Sequence, residues 1–201
     1  MMQDSTTNYI NQEDFGRILD TIPQLGIRKW LDDDVKILFQ IMYYSALRPG
    51  EAIRLKKEDI DIKNQTIYLG KTKTKTIDTA QIFYGFSDDL EEWLWDKDEG
   101  RLFVDLTYHR VYEWIARLGK MLQIQAWLIP EHKSGEKTKA HIFRKSIGKD
   151  MVNGVYGEDA QQIPVIQKLM RHSKSTTTID SYLKISNEKL KRVWSKPSED
   201  V

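Results

Sequence analysis

A histidine, a run of hydroxyl side chains and a tyrosine lie close together in LMRHSKSTTTIDSYL, residues 169–183. The stretch is too polar to form part of a core. One interpretation is a surface loop with a tyrosine packed at its end. The other is that the loop presents Tyr182 as a nucleophile, with His172 nearby in sequence. A tyrosine hydroxyl has an ordinary pKa of about 10, so such chemistry needs neighbours that accept its proton and stabilise charge.

Arginine and histidine side chains elsewhere in the chain are candidates for these neighbours. Arg48 stands at a predicted helix break in SALRPGE, where Glu51 can orient it. His141 and Arg144 are three residues apart in KAHIFRKSIGKDMV, so they are neighbours on the surface of a predicted helix. The spacing places both beside the apolar stripe of that helix, which consists of Ala140, Phe143, Ile147 and Met151. The alternative is structural, with each arginine pairing a nearby carboxylate.

Lysines mark the tip of a predicted β-hairpin. Two alternating, β-branched segments, QTIYL and TIDTAQIFY, flank GKTKTK. Strand alternation predicts that Lys71, Lys73 and Lys75 share one face. Such a basic finger suits a DNA groove, or it can bring an ammonium group to a leaving oxygen. The alternative is a charged edge that prevents aggregation.

The elements that must position these side chains are mostly helical. Apolar periodicity predicts helices and one small antiparallel sheet, an α+β fold without internal repeats. The predicted helices cover residues 13–22, 31–47, 51–55, 88–95, 108–122, 139–152 and 162–170 and a C-terminal segment within 185–200, and the predicted strands cover 65–69 and 76–84. Asn11 or Gln12 is expected to begin the first helix and Pro23 to end it.

Composition narrows the class of protein. The chain has 201 residues and no cysteine, which excludes disulfides and cysteine-ligated metals. It lacks the apolar run of a membrane helix and the pattern of a signal peptide, so we expect a cytoplasmic protein. The net charge is +1, but residues 1–100 carry 13 basic and 19 acidic residues, whereas residues 101–201 carry 18 and 11. This asymmetry favours a polyanionic partner for one face.

The order of these motifs resembles the tyrosine recombinases, also called the phage integrase family. ALRPGE, a lysine hairpin, HIFR, and RHS followed by TTT and a tyrosine occur in the family's order, and the likeness runs from about Asn11 to Trp194. The resemblance implies a catalytic domain over residues 11–184. Residues 1–10 are then expected to be disordered or introduced by cloning, and residues 185–201 to form a helix and tail that docks on a neighbouring subunit.

The resemblance also assigns roles to individual residues. Arg48 and Arg144 correspond to the arginines that clamp the scissile phosphate, and Tyr182 to the nucleophile. His141 and His172 correspond to the two motif histidines. Lys71 corresponds to the hairpin lysine, with Lys73 as the other candidate, and Glu51 to an acidic residue supporting the site. The further residues expected to contact DNA are Lys73, Lys75, Lys139, Lys145, Arg171 and Lys174.

The function implied by this resemblance is site-specific DNA recombination. Strands of double-stranded DNA would be cut and rejoined through a 3′-phosphotyrosine, without metal, cofactor or ATP, within a tetramer assembled on DNA. A prokaryotic, archaeal or viral mobile element is the expected source. Two alternatives stay open: a type IB topoisomerase, which rejoins the same strand, and a decayed relative that only binds DNA.

Two features depart from the family pattern. Nine residues, 173–181, separate His172 from Tyr182, where the family usually has eight. The helical domain that precedes the catalytic domain in many members has no counterpart in this sequence, which suggests a catalytic fragment or a minimal member.

Overall fold

The computed structural model describes residues 9–27, 29–71, 77–124 and 141–171, with only the backbone at positions 71 and 77. The chain divides into two compact units, Met1–Asp150 and Met151–Val201. Within the described ranges, no helix is both long enough and apolar enough to cross a membrane.

The first unit is mainly helical with one small sheet. Its helices are α1 (Gln12–Thr21), α2 (Asp32–Tyr44), α3 (Pro49–Ala52), α4 (Tyr84–Trp95), α5 (Tyr108–Leu122) and α6 (Ile142–Val152), the last two residues of which belong to the second unit. Its strands are β1 (Ile60–Asp61), β2 (Thr66–Lys71) and β3 (Ile77–Gln81), paired antiparallel in that order. The predicted α+β class, with a small antiparallel sheet, is confirmed.

Aromatic side chains of α1, α2 and α6 form the centre of this unit. Phe15 of α1 stacks on Tyr43 of α2, with ring centroids 4.0 Å apart. Phe143 of α6 meets Phe15 edge-on at 5.6 Å and Phe39 of α2 at 5.1 Å. All four rings are almost fully buried, so α6 is held against α1 and α2 by apolar packing and by favourable ring geometry.

Local sequence signals explain where several helices begin. Asn11 caps α1, because its side chain accepts a hydrogen bond from the backbone N–H of Asp14 at 2.7 Å. Pro23 lies in a 3₁₀ turn that follows α1, as expected for a residue that cannot continue the helix. Thr107 caps α5 in the same manner. The bounds of α5 coincide with the predicted segment 108–122, because its buried residues keep a regular helical period: Val111, Trp114, Ile115 and Leu118.

The link between α2 and α3 differs from the prediction. α2 was expected to run through Leu47, but it ends at Tyr44. Ala46 then takes a left-handed backbone conformation, with φ of 50°, which stops the helix. Pro49 occupies the first position of α3, which therefore begins two residues earlier than predicted.

The predicted hairpin is present, and it contains an irregularity. Ile67 pairs with Ala80 and both side chains are buried, so this face of the sheet packs inward. The register shifts between Tyr68 and Lys71, and Gly70 has φ of 81°, which fits a β-bulge with glycine in the left-handed region. The two-residue strand β1 is an addition to the prediction, because so short a segment carries no readable alternation.

The described part of the second unit contains a short 3₁₀ helix, Asp159–Gln161, and one further α-helix, α7 (Ile163–Leu169), with Pro164 in its first turn as predicted. The predicted stop at Asn153-Gly154 is also present, since Gly154 has φ of 79° and its N–H donates to the carbonyl of Met151. The side chain of Ile166 is buried.

Candidate active site

The corner between α2 and α3 holds the first predicted arginine. Arg48 is the residue just before α3, and its backbone N–H donates to Glu51 Oε2 at 2.7 Å. Its guanidinium Nη1 donates to the other carboxylate oxygen, Oε1, at 2.8 Å. The Arg48 side chain is 46% exposed, whereas that of Glu51 is 16% exposed. Glu51 therefore orients an arginine that still faces solvent.

The second predicted arginine reaches the same corner from α6. Arg144 Nη1 donates to the carbonyl oxygen of Ala46 at 2.8 Å, across 98 positions of sequence. Ala46 is two residues before Arg48, and its left-handed conformation sets the direction of this carbonyl. The two arginines, 96 residues apart in sequence, are thus linked through one short turn.

Arg144 is more deeply buried than its predicted position beside the apolar stripe of its helix suggests. Only 5% of Arg144 is exposed. The α2–α3 corner covers this side of α6 and offers a carbonyl to the guanidinium, so the arginine is accommodated inside the unit. A buried arginine is tolerated where its donors find acceptors.

Two further polar links fix α6, and neither was predicted from the sequence. The Ser146 hydroxyl accepts from the backbone N–H of Ile10 and donates to the carbonyl of Ile142, each at 2.8 Å. Ile10 is buried in the fold, although it belongs to the segment 1–10 that was expected to be disordered or introduced by cloning. The Tyr43 hydroxyl donates to the carboxyl group of Asp150, which is also buried. No sequence signal distinguishes these residues from ordinary polar positions of a helix.

Burial changes the acid–base behaviour of Asp150. Removal from water raises the pKa of this carboxyl from 3.8 to about 6, and the hydrogen bond from Tyr43 opposes part of that rise. Burial likewise raises the pKa of Tyr44, with smaller contributions from Asp89 and Asp150. The interior beside the corner between α2 and α3, which holds Arg48 and accepts Arg144 and is called the arginine corner below, is thus poorly solvated.

The remaining predicted site residues are placed as follows. His141 is exposed at the start of α6, one turn before Arg144, and Lys145 is partly buried. Lys71 is the last residue of β2, and Arg171 is partly buried in the second unit. The other predicted residues lie outside the described part of the chain: Lys73, Lys75, Lys139, His172, Lys174 and Tyr182.

Both arginines are held at one short turn, and guanidinium groups in such a position are candidates for binding an oxyanion. A guanidinium presents planar, paired donors that match the oxygens of a phosphate. Arg144 is almost removed from water, where electrostatic interactions are stronger, and Arg48 lies at the surface, from which a large ligand can be reached. The arrangement suits a phosphate that belongs to a macromolecule.

The fold is that of a tyrosine recombinase catalytic domain. Residues 8–189 match the phage integrase family, so the chain belongs to that family. The predicted family is confirmed.

Among its relatives, the chain is 21% identical over 184 residues to Transposase A from transposon Tn554 of Staphylococcus aureus, covering 80% of this chain and 46% of the transposase. It is 24% identical over 197 residues to tyrosine recombinase XerA of Thermococcus kodakarensis, covering 93% of this chain and 61% of XerA. The chain therefore spans about half to three fifths of the length of these relatives.

Solved structures share the fold. The XerH site-specific recombinase bound to a palindromic difH substrate superposes with a TM-score of 0.65 at 18% identity, over 92% of this chain and 51% of XerH. The catalytic domain of bacteriophage HP1 integrase superposes with a TM-score of 0.58 at 20% identity, over 96% of this chain and 98% of that domain. These superpositions confirm the predicted recombinase catalytic fold.

Proposed function

We propose that this chain carries the catalytic part of a site-specific DNA recombinase, which cuts and rejoins strands through a 3′-phosphotyrosine. One observation carries the proposal beyond family membership. The hydrogen bond from Arg144 Nη1 to the Ala46 carbonyl, 2.8 Å long, joins the segment of the second motif arginine to the turn that holds Arg48. Both arginines of the family pattern are thereby held at one turn, which supports a phosphate clamp that is in place before DNA binds.

In the proposed reaction, the two arginines bind the scissile phosphate. Their charges stabilise the additional negative charge on the phosphate oxygens as the pentacoordinate transition state forms. Glu51 keeps the Arg48 guanidinium in one orientation by accepting from Nη1. This pre-orientation reduces the conformational freedom that binding would otherwise remove.

The strand-cleavage step is an exchange of phosphorus–oxygen bonds. The hydroxyl oxygen of Tyr182 bonds to phosphorus, the bond from phosphorus to the 5′ oxygen breaks, and the DNA 3′ end stays attached to the tyrosine. His141 accepts the phenolic proton, and Lys71 gives a proton to the departing 5′ oxygen, contributions typically worth about 10²–10⁴-fold each. His172 donates to the phosphate oxygens. A 5′ hydroxyl from another strand reverses the step, so neither ATP nor a metal is required.

Double-stranded DNA is the proposed partner, bound by several copies of the chain. The XerH structure contains a palindromic substrate, and a palindrome presents two equivalent half-sites to symmetry-related protein copies. A tetramer joining two such duplexes is the proposed synaptic state. The bacterial and archaeal sources of the curated relatives support a prokaryotic cytoplasm as the place of action.

The proposal is tested with nicked duplexes that trap the covalent intermediate by releasing a short strand after cleavage. A pool of candidate attachment sequences is incubated with the protein, and the adduct is mapped by denaturing gel and peptide mass. We expect DNA on Tyr182, loss of the adduct in Tyr182→Phe with binding retained, and an unchanged adduct in the exposed control Tyr84→Phe. Bound DNA with no adduct on any tyrosine would contradict strand cleavage.

A second substrate separates recombination from topoisomerase activity. When trapped protein is offered a second duplex with a free 5′ hydroxyl, a recombinase joins the two duplexes. Relaxation of supercoiled plasmid without any joined product would favour the topoisomerase alternative.

A further inference from the structure

A third arginine, Arg54, lies at the same corner and was absent from the residues predicted from sequence. It follows α3 by two positions, and its side chain is exposed. Its backbone N–H donates to the carbonyl of Glu51 at 3.1 Å, which ties this part of the chain to the residue that orients Arg48.

The Arg54 guanidinium is turned back toward the start of α3. Its Nη1 lies 3.6 Å from the point that a Cβ on Gly50 would occupy. Gly50 is helical, so its backbone conformation does not demand glycine. The missing side chain instead leaves bare helix surface on which the guanidinium rests. The Arg54 guanidinium is thereby held near the backbone of Arg48, because the Cα atoms of Gly50 and Arg48 are two steps apart, at most about 7.6 Å.

The charge of Arg54 has no protein partner among the described residues. No hydrogen bond or ion pair of its side chain occurs there, whereas the neighbouring cations Arg48 and Lys56 pair with Glu51 and Glu58 at 2.8 Å and 3.4 Å. A guanidinium carries five donors in a fork suited to phosphate. Because Arg54 also lies beside the two arginines that are proposed to bind phosphate, it is a candidate phosphate ligand and not only an exposed surface charge.

We propose that Arg54 binds a DNA backbone phosphate next to the one that Arg48 holds. The inference rests on the proposed DNA function and adds a contact that the motif residues do not include. Successive phosphates of one strand are one axial step of about 3.4 Å apart, so two cations held at the same corner can bind neighbouring phosphates of that strand. Arg54 would then fix the register of the strand across the corner without reading its sequence.

The test measures how the affinity for a random-sequence duplex depends on salt concentration. Each phosphate contact contributes about 0.9 to the slope of log affinity against log salt. For Arg54→Gln we expect a slope smaller by about 0.9, and affinity lower by roughly five- to tenfold at 0.1 M salt. Arg54→Lys should keep most of the slope.

The matched control is Arg110→Gln, which removes one exposed arginine charge from α5, where Arg110 pairs with Glu113 at 3.1 Å. Its slope should equal that of the unmodified protein. If Arg54→Gln and Arg110→Gln behave alike, the Arg54 contact does not exist. The double variant Arg48→Gln with Arg54→Gln should lose about twice 0.9 from the slope. If its slope falls by only about 0.9, the two arginines share one phosphate and the neighbouring-phosphate assignment is wrong.

A different result would reject the proposed function itself. If the unmodified protein shows no salt-dependent binding to DNA, the DNA-binding premise fails. Binding by the unmodified protein with an unchanged slope in Arg54→Gln rejects only the further inference.

Discussion

Replacing Asp150 with asparagine should change how the stability of this protein depends on pH. Asp150 is 2% exposed and accepts a hydrogen bond from the Tyr43 hydroxyl. Asparagine has a similar shape and keeps a carbonyl oxygen for that bond, but it cannot ionise. The substitution therefore isolates the free energy of holding a charged carboxylate inside the fold.

The magnitude follows from the pKa of Asp150. In the folded protein the pKa is about 6, against an ordinary value of 3.8. The raised pKa means that the folded state binds the proton more tightly than the unfolded state, so this stabilisation is complete below pH 3.8 and is lost as the pH rises through about 6. A shift of about two pKa units corresponds to roughly 3 kcal/mol. Ionisation of Asp150 should therefore lower the free energy of unfolding of the wild-type protein by that amount at pH 8 and by less than about 1 kcal/mol at pH 4.

The assay is urea unfolding of the wild type and Asp150→Asn at pH 4 and pH 8. Any fixed packing penalty of the amide is the same at both values and cancels in the comparison. Between pH 4 and pH 8, we expect the free energy of unfolding of the variant to rise by roughly 2–3 kcal/mol relative to that of the wild type. The surface control Asp105→Asn should gain less than about 0.5 kcal/mol, since its carboxylate is well exposed. If the free energy of unfolding of Asp150→Asn gains no more than that of the control, the buried carboxyl titrates like a solvated one and its raised pKa is wrong.

Two further substitutions probe the arginine corner. Arg144→Ala should lower the free energy of unfolding by about 1.5–3 kcal/mol, because it removes a charged donor from the buried carbonyl of Ala46, and it should also abolish the DNA adduct; urea unfolding and the trapping assay measure the two effects. An unfolding free energy equal to that of the wild type would mean that the buried contact is not formed. Glu51→Gln should slow adduct formation several-fold while changing stability by less than about 1 kcal/mol, because its partner Arg48 is partly exposed. A loss of stability above that range with an unchanged cleavage rate would assign Glu51 to the fold alone.

The helices with regular apolar periods could be predicted from sequence, because local signals decide them. The bounds of α5 match, the Asn11 cap is present, and the hairpin strands β2 and β3 lie near their predicted positions. In each case neighbours within a few residues provide the determining contacts. The same holds for the family, whose motifs are short and ordered.

The burial of Arg144 could not be predicted, because it depends on contacts made far away in sequence. A helix considered alone shows an arginine beside an apolar stripe. The carbonyl that accommodates it belongs to Ala46, whose left-handed conformation ends α2 earlier than the apolar pattern suggests. Asp150 and Ser146 are similar cases, since their partners, Tyr43 and Ile10, lie 107 and 136 residues away.

The contact between Arg144 and Ala46 also bears on the entropy of DNA binding. An arginine side chain in solution has about 2 kcal/mol of rotamer entropy, which is lost when the guanidinium is fixed. For Arg144 most of that loss occurs when the protein folds, because the side chain is already buried and bonded to a backbone carbonyl. In the proposed reaction, DNA that reaches this corner meets a group that is already ordered, so the entropic cost of placing Arg144 is part of folding and is not repeated in each cycle of strand cleavage.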